Sequence, residues 1–255
     1  MNLVLTPLPN IPMVQSGDDL VGIIWNSLSQ EHIRLKGGDI LVLAQKIVSK
    51  AEGRWVNLVS IQPSARAIEV AKKIGKDPRL IELVLHESNE VIRTRTGTVI
   101  VEHKLGFVCA NAGIDHSNVA GEGNSSEEWV LLLPENPDAS AQLIRQKLEA
   151  MSGVHLGLMI IDSHGRAWRQ GVVGVAIGLS GLPGLVDMRG KSDLFGYKLR
   201  ITTIGAADEL AAAASLMMGQ ANEGTPVVHV RGFPYPMREG NLKELLRPKE
   251  LDLFR

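Results

Sequence analysis

Short apolar runs, separated by polar stretches that contain Gly and Pro, dominate the hydrophobic pattern of this chain. Runs rich in Val, Ile and Leu that are bounded by turn residues are typical of interior β-strands. A Gly at position 97, between two such runs, predicts a tight hairpin. We predict strands at 3–5, 40–44, 91–94, 99–102, 108–110, 130–133, 156–161, 172–177, 199–203 and 227–230.

Longer segments show helical periodicity with recognisable end signals. We predict helices at 64–74, 78–86, 138–152 and 207–218. Gly75, Gly153 and Gly219 follow three of them, and a glycine just past the last turn is a common helix stop. Strands and helices alternate without a repeated βαβ rhythm, so we predict an α+β fold rather than a doubly wound sheet.

Two of the predicted strands run towards an aspartate. Asp115 follows the strand at 108–110, and Asp162 directly follows the strand at 156–161. Ligands in α/β proteins gather outside strand ends, so we expect the two carboxylates to share a metal ion. Ser163 adds a hydroxyl, and hard oxygen ligands suit Mg²⁺ or Mn²⁺. The alternative is that each aspartate caps a turn or a helix.

A cationic segment follows the strand at 40–44. Lys46, Lys50 and Arg54 lie close together there and form a candidate phosphate site, with a solvated basic edge as the alternative. Arg166 follows Asp162 within reach of the same loop and is a further candidate residue of this site. The alternative is ordinary ion pairing at the surface. Phosphoryl transfer needs cations on the phosphates and carboxylates for the metal, and the chain offers both.

The segment after the last predicted helix is a third candidate. Gln220 or Glu223 would complete a metal shell there, and a plain helix-capping loop is the alternative. A Walker A loop is excluded at Gly190-Lys191-Ser192, because the spacing from Gly184 is one residue too long.

Composition restricts the class of protein. Hydrophobic residues make up 44% and charged residues 22% of the 255 positions, as in an ordinary globular protein, and a net charge of -1 excludes general polyanion binding. Apolar stretches are too short to cross a bilayer and no secretory signal pattern begins the chain, so we expect a cytoplasmic protein. Cys109 is the only cysteine. We expect one unit over 1–255, with any subdomain boundary near 136–138 or 180–193.

Several motifs closely resemble, in order, those of the coenzyme F-420 gamma-glutamyl ligases. The resemblance covers the chain from about Pro7 to Gly232, which is nearly its whole length. The matching segments are 17–20, 38–42, 48–53, 111–118, 162–166, 171–178 and 187–196.

This resemblance implies a GTP-dependent ligase that joins L-glutamate to the phospholactyl carboxylate of coenzyme F-420-0 and then adds further γ-linked glutamate. The chemistry we infer passes through an acyl phosphate, and Lys46, Lys50 and Arg166 are the expected catalytic residues. The resemblance also implies two divalent metal ions, Mg²⁺ or Mn²⁺, with K⁺ as a helper. It further implies a homodimer of a two-part fold, with the cleft near the subunit boundary.

By the same resemblance, Asp115 and Asp162 bind the first metal ion, and Ser163 and Gln220 lie at the second. The expected GTP-binding residues are Ile11, Pro12, Met13, Val14, Gln45, Lys46, Lys50, Asn118, Met218, Gly219, Gln220, Ala221, Asn222, Glu223, Gly224 and Thr225. Two alternatives stay open. One is a nucleotide- or F-420-binding regulator that has lost catalysis, and the other is a ligase for a different acyl acceptor.

Overall fold

Helices and strands form a mixed α+β structure, as predicted. The computed structural model describes residues 2–119 and 128–253. Its helices are α1 (Leu20–Gln30), α2 (Gln45–Ala51), α3 (Ala65–Ile74), α4 (Pro78–His86), α5 (Pro137–Ser152) and α6 (Ala206–Met218). Its strands are β1 (Val4–Pro7), β2 (Ile40–Ala44), β3 (Trp55–Asn57), β4 (Ser88–Arg95), β5 (Thr98–His103), β6 (Val108–Ala110), β7 (Trp129–Leu131), β8 (Gly157–Arg166), β9 (Arg169–Ser180), β10 (Val186–Asp187), β11 (Thr203–Ile204) and β12 (Val227–Arg231).

The largest sheet has five strands in the order β1–β12–β2–β8–β9. Its central pair, β2 and β8, is parallel, and the other neighbours are antiparallel. Side chains alternate between the two faces of a strand. Leu41 and Leu158 therefore pack with α1 and α5 on one face, whereas Val42 and Met159 pack with α6 on the other. Both faces are covered, which explains why these strands are apolar throughout.

A second, smaller sheet of β4, β5 and β6 packs against α3 and α4. Val99 and Val101 of β5 are fully buried against Ala67 and Ile81 of the two helices. The short ribbon of β3 and β7 lies beside this layer and pairs Trp55 with Leu131. The segment leaving the smaller sheet leads directly to Asp115, so this layer positions one of the two predicted aspartates.

Local sequence signals found most elements but missed some. Strands β2 and β6 and helix α4 have the predicted bounds, and the hairpin at Gly97 is confirmed between β4 and β5. The strand predicted at 199–203 is wrong, because only Thr203 belongs to β11 and Ile201 is 87% exposed, with no layer to cover it. Helices α1 and α2 and strands β3 and β10 were not predicted. Helix α1 contains Gly22 and several β-branched residues, which weaken its local helix signal.

The prediction that Asp162 ends its strand is also wrong. Strand β8 continues to Arg166, and Asp162 pairs with Val175 inside the hairpin of β8 and β9. The physical reason is that this hairpin extends past β2, whose last paired residue, Ala44, lies opposite Ile161. Asp162 is therefore the first residue beyond the parallel pair, although it lies within a strand. In the part of the chain that the structure describes, no helix is long and apolar enough to cross a bilayer.

Candidate active site

The edge of the large sheet where β2 stops is the foundation of the site. Ala44 and Ile161 form the last pair between the parallel strands β2 and β8. The next residues, Gln45 and Asp162, therefore lie at the same edge of the sheet. Ile161 belongs to the layer under α6. Strand alternation therefore directs Asp162 to the opposite side and Ser163 to the side of α6. One strand thus supplies a polar group to each side of the edge.

Asp115 reaches this edge from the smaller sheet. The chain after β6 takes three successive left-handed residues, Asn111 (φ 51°), Ala112 (φ 54°) and Gly113 (φ 65°). The backbone of Asp115 then pairs with Leu131, with N···O distances of 3.0 and 2.9 Å. This bridge fixes the backbone of Asp115 against β7 and directs its carboxylate towards α2.

Both carboxylate oxygens of Asp115 have partners on α2. Gln45 Nε2 donates to Oδ2 at 2.6 Å, and Lys46 Nζ lies 3.3 Å from Oδ1. The pKa of Asp115 is raised to about 6, mainly by burial; Lys46 opposes this shift and the negative charge of Asp162 adds to it. The two aspartates are therefore close enough to repel each other, and a bound cation would relieve that repulsion.

Helix α2 arranges the predicted cations. Lys46 and Lys50 are four residues apart, so they project from the same face of the helix. Lys46 Nζ also donates to Ser117 Oγ at 3.3 Å, and Lys50 Nζ donates to the backbone oxygen of Asn118 at 2.8 Å. Burial and the neighbouring Lys46 charge lower the pKa of Lys50. Both ammonium groups therefore lie against the segment that carries Asp115.

The loop after α6 closes the other side of the edge. Ser163 Oγ donates to Gln220 Oε1 at 2.9 Å, and Gln220 Nε2 donates to Ser215 Oγ at 2.9 Å. Asn118 Nδ2 donates to the backbone oxygen of Ala221 at 3.2 Å. The loop is thus tied both to β8 and to the segment that carries Asp115.

A cavity of about 380 Å³ lies between these elements. It is lined by every residue of the predicted GTP set, together with Asp162 and Ser163 of the predicted metal set. Asp115 borders it through its bonds to Gln45 and Lys46. Arg166 does not line the cavity, and its Nη1 donates to the backbone oxygen of Gly171 at 3.3 Å. Residues that line the cavity without having been predicted are Ala44, Ile47, Ile161, Ser215 and Pro226.

A larger cavity, of about 570 Å³, lies elsewhere, beside the ends of α1 and α5. Trp25, Ile33 and Val154 are among its lining residues, and it contains none of the predicted site residues. Its walls hold no carboxylate, whereas the smaller cavity adjoins three carboxylates, those of Asp115, Asp162 and Glu223, and two lysines. Chemistry rather than volume therefore identifies the candidate site.

The donor atoms at the edge fit a divalent metal ion. Over 2–119 and 128–253, no three His, Cys, Asp or Glu side chains come together as a metal-binding group. Mg²⁺, however, is commonly held by one or two carboxylates together with water and substrate phosphates. Asp115 and Asp162 supply two carboxylates, and Ser163 and Gln220 add hydroxyl and amide oxygens. The donor set suits Mg²⁺ or Mn²⁺ bound with a phosphate-bearing ligand.

Two residues outside the predicted site set contact members of that set. His164 Nε2 lies 3.1 Å from Asp162 Oδ2, and the ring of Phe107 packs against His164 at a centroid distance of 5.1 Å. Ser49 Oγ donates to Gln45 Oε1 at 2.8 Å. The four-residue spacing of Gln45 with Ser49, repeated by Lys46 with Lys50, was the available signal for a helix at this position.

The chain is similar to known proteins over nearly its whole length. The sequence profile described as F420-0:Gamma-glutamyl ligase matches residues 9–232. The Coenzyme F420:L-glutamate ligase of Methanothermobacter thermautotrophicus is 46% identical over 257 residues, which cover 100% of both chains. The protein of the same name from Methanopyrus kandleri is 43% identical over 98% of this chain and 97% of the relative. That from Archaeoglobus fulgidus is 41% identical over 100% of this chain and 97% of the relative.

Proposed function

The chain belongs to the F420-0:gamma-glutamyl ligase family, and from this premise we propose that it joins L-glutamate to coenzyme F420-0 through an amide bond. The finer proposal is that GTP drives the reaction and that further glutamate is added through γ-linkages. The observation that carries it is the cavity, in which the predicted nucleotide residues, two lysines and Asp162 with Ser163 come together.

Activation of the acceptor carboxylate is the chemical problem. A carboxylate does not accept an amine at neutral pH, so we propose transfer of the GTP γ-phosphoryl group to it, which gives an acyl phosphate. The amine of glutamate then attacks the acyl carbon, and phosphate leaves. Lys46 and Lys50 carry the compact positive charge that such a transfer requires at the phosphate oxygens. No nucleophilic side chain is needed.

Asp115, Asp162, Ser163 and Gln220 would hold the divalent metal ions. When bound, such ions neutralise charge on phosphate oxygens and orient them for in-line transfer. The residues of the chain have their own tasks. Gln45 and Lys46 each bind one oxygen of the Asp115 carboxylate, and Asn118 ties the 218–225 loop to the segment that contains Asp115.

A homodimer is part of the proposal. The segment 188–202, between β10 and β11, forms an arm with apolar side chains at its surface: Leu194 is 98% exposed and Phe195 is 95% exposed. Neighbouring large apolar side chains with this exposure are typical of an interaction surface. A second copy of the chain would bury them.

The test uses the purified protein with coenzyme F420-0, L-glutamate, GTP and Mn²⁺ in the presence of K⁺. We expect GDP release that depends on both other substrates, and a product whose mass increases by one or more glutamyl residues. Binding of GTP without any turnover would instead favour a regulator. Replacement of F420-0 by other carboxylic acids tests whether a different acceptor is preferred.

A further inference from the structure

Ser49 is a buried hydroxyl beside the site. It is 0% exposed and lies four residues after Gln45 on α2, and its Oγ donates to Gln45 Oε1 at 2.8 Å. Gln45 is 1% exposed, and its Nε2 donates to Asp115 Oδ2 at 2.6 Å. The three side chains form a chain of hydrogen bonds that ends on a predicted metal ligand.

The chemistry of the groups fixes the direction of this chain. An ionised carboxylate only accepts hydrogen bonds, so Gln45 has to present its NH₂ group to Asp115. Its carbonyl oxygen then faces Ser49, which is able to donate. If the amide were reversed, Gln45 Oε1 would face Asp115 Oδ2 without a proton between them, and these two oxygens would be buried without a donor.

We propose that Ser49 is a positioning residue of the ligase site: it fixes the amide of Gln45, which in turn holds the Asp115 carboxylate in the orientation that binds a divalent metal ion. Lys46 is paired with the other oxygen of Asp115, so both carboxylate oxygens are restrained. This inference rests on the proposed function, and it assigns the side chain of Gln45 to Asp115 rather than to the nucleotide.

The variant Ser49→Ala removes the hydroxyl and leaves Gln45 Oε1 without the donor that restrains it, although Asp115 still accepts from Gln45 Nε2. Loss of a partner that orients a metal ligand costs about 10–100-fold in metal affinity. We therefore expect the dissociation constant for Mn²⁺, measured by electron paramagnetic resonance on protein without nucleotide, to rise about tenfold. In turnover, KM for Mn²⁺ should rise while kcat at saturating Mn²⁺ changes little.

Ser27→Ala is the matched control. Ser27 is also a helix serine, 2% exposed, and its Oγ donates to the backbone oxygen of Pro9 at 2.7 Å, away from Asp115. Ser27→Ala should lower the thermal midpoint, as the loss of any buried hydroxyl does. It should leave the affinity for Mn²⁺ unchanged. Ser49→Cys is the second variant. It keeps a weak donor in nearly the same volume and should give an Mn²⁺ affinity between those of the wild type and Ser49→Ala.

A double-mutant cycle with Gln45→Met separates positioning from general packing. Methionine has no amide to orient, so Ser49→Ala should have no further effect on Mn²⁺ affinity in that background. Wild-type Mn²⁺ affinity in Ser49→Ala, or an undiminished effect in the Gln45→Met background, would overturn the inference. Failure of the wild type to release GDP with F420-0 and glutamate would instead overturn the proposed function, and that is a separate measurement.

Discussion

At the scale of single residues, the polar side chains of the candidate site hold one another. Asp115 is bonded to Gln45 and paired with Lys46, and Gln220 joins Ser163 to Ser215. A buried polar group without a partner costs roughly 1–3 kcal/mol, so these bonds keep the site ordered. Substitution of one member should therefore affect its neighbours as well as its own contact.

The first residue-scale prediction concerns Asp162. Asp162→Asn keeps the size of the side chain but removes its charge. Loss of a residue that only supports a metal ligand lowers activity about 10–100-fold, so loss of the ligand itself should lower metal-dependent turnover by at least as much. The thermal midpoint should change little, because His164 is the one partner of this side chain among residues 2–119 and 128–253. Turnover at a series of Mn²⁺ concentrations measures the effect. Activity like that of the wild type would contradict the assignment of Asp162 to a metal ion.

A second residue-scale prediction concerns Asp39, just before β2. Its carboxylate is 2% exposed and accepts from Arg231 Nη2 at 2.6 Å and from His229 Nε2, assigned as the donor, at 2.9 Å. Burial alone would raise the pKa of Asp39, but the hydrogen bonds from Arg231 and His229 outweigh it and hold that pKa well below its usual range. Because the folded pKa is depressed, the stabilisation is present above the unfolded pKa, about 3.9, and is lost as the pH falls through the folded value.

Asp39→Asn should therefore lower the free energy of unfolding at pH 7 by about 3 kcal/mol, the low end for a broken buried pair because Arg231 is partly exposed. Urea unfolding at a series of pH values measures the difference between variant and wild type. We expect this difference to shrink below about pH 4. A difference that stays constant down to pH 3 would show that the charge of Asp39 does not stabilise the fold.

At the scale of elements, the site depends on how closely α6 approaches β9. Gly174 makes this approach possible: a Cβ atom there would lie 2.5 Å from Ser215 Cβ and 2.6 Å from the backbone oxygen of Ala211. Gly174 is also the cross-strand partner of Ser163. The packing that brings Ser215 over the sheet therefore also brings Gln220 within reach of Ser163.

The element-scale prediction is that Gly174→Ala pushes α6 away from β9. Overpacking of this kind costs about 1–3 kcal/mol, and the displaced 218–225 loop should also weaken GTP binding. Gly165→Ala is the control, because β8 leaves that position open with nothing within 4 Å of an added Cβ. Urea unfolding and nucleotide titration measure the two effects. Equal behaviour of the two variants would show that this close contact does not position the loop.

At the scale of the whole molecule, two layers of structure meet at the site. The large sheet supplies Asp162 and, through α2, the lysines, while the smaller sheet leads to Asp115. Phe107 belongs to the apolar clusters of both layers and contacts His164 beside Asp162. The separation of the two aspartates is thus set by packing between layers.

The whole-molecule prediction concerns the 188–202 arm and the proposed homodimer. Leu194→Asp combined with Phe195→Asp places two charges on the apolar surface, so the variant should be monomeric where the wild type has twice that mass in light scattering. Val59→Asp changes another exposed apolar residue, 62% exposed and outside the arm, and should leave the mass unchanged. A wild-type protein with the mass of one chain would contradict the homodimer itself.

The sequence by itself predicted much of the fold and the members of the site. Apolar runs locate most strands, and glycines and prolines mark the ends of α3, α4 and α5, because these signals are local. The resemblance to the ligase family implied most of the residues that line the cavity. Helix α2 was missed because it is short and directly follows a strand without a capping signal, and α1 was missed because its apolar face includes β-branched residues.

Only the tertiary structure decided how the site residues meet. The strand register extends β8 past β2 and so places Asp162 inside a strand, and packing of α2 against the 115–118 segment pairs Lys46 with Asp115. Orientation of Gln45 by Ser49 depends on the same helix. Register and layer packing are set by contacts between residues far apart in the chain. Local pattern and family resemblance therefore identify candidate residues of the site, but they do not determine which atoms contact each other.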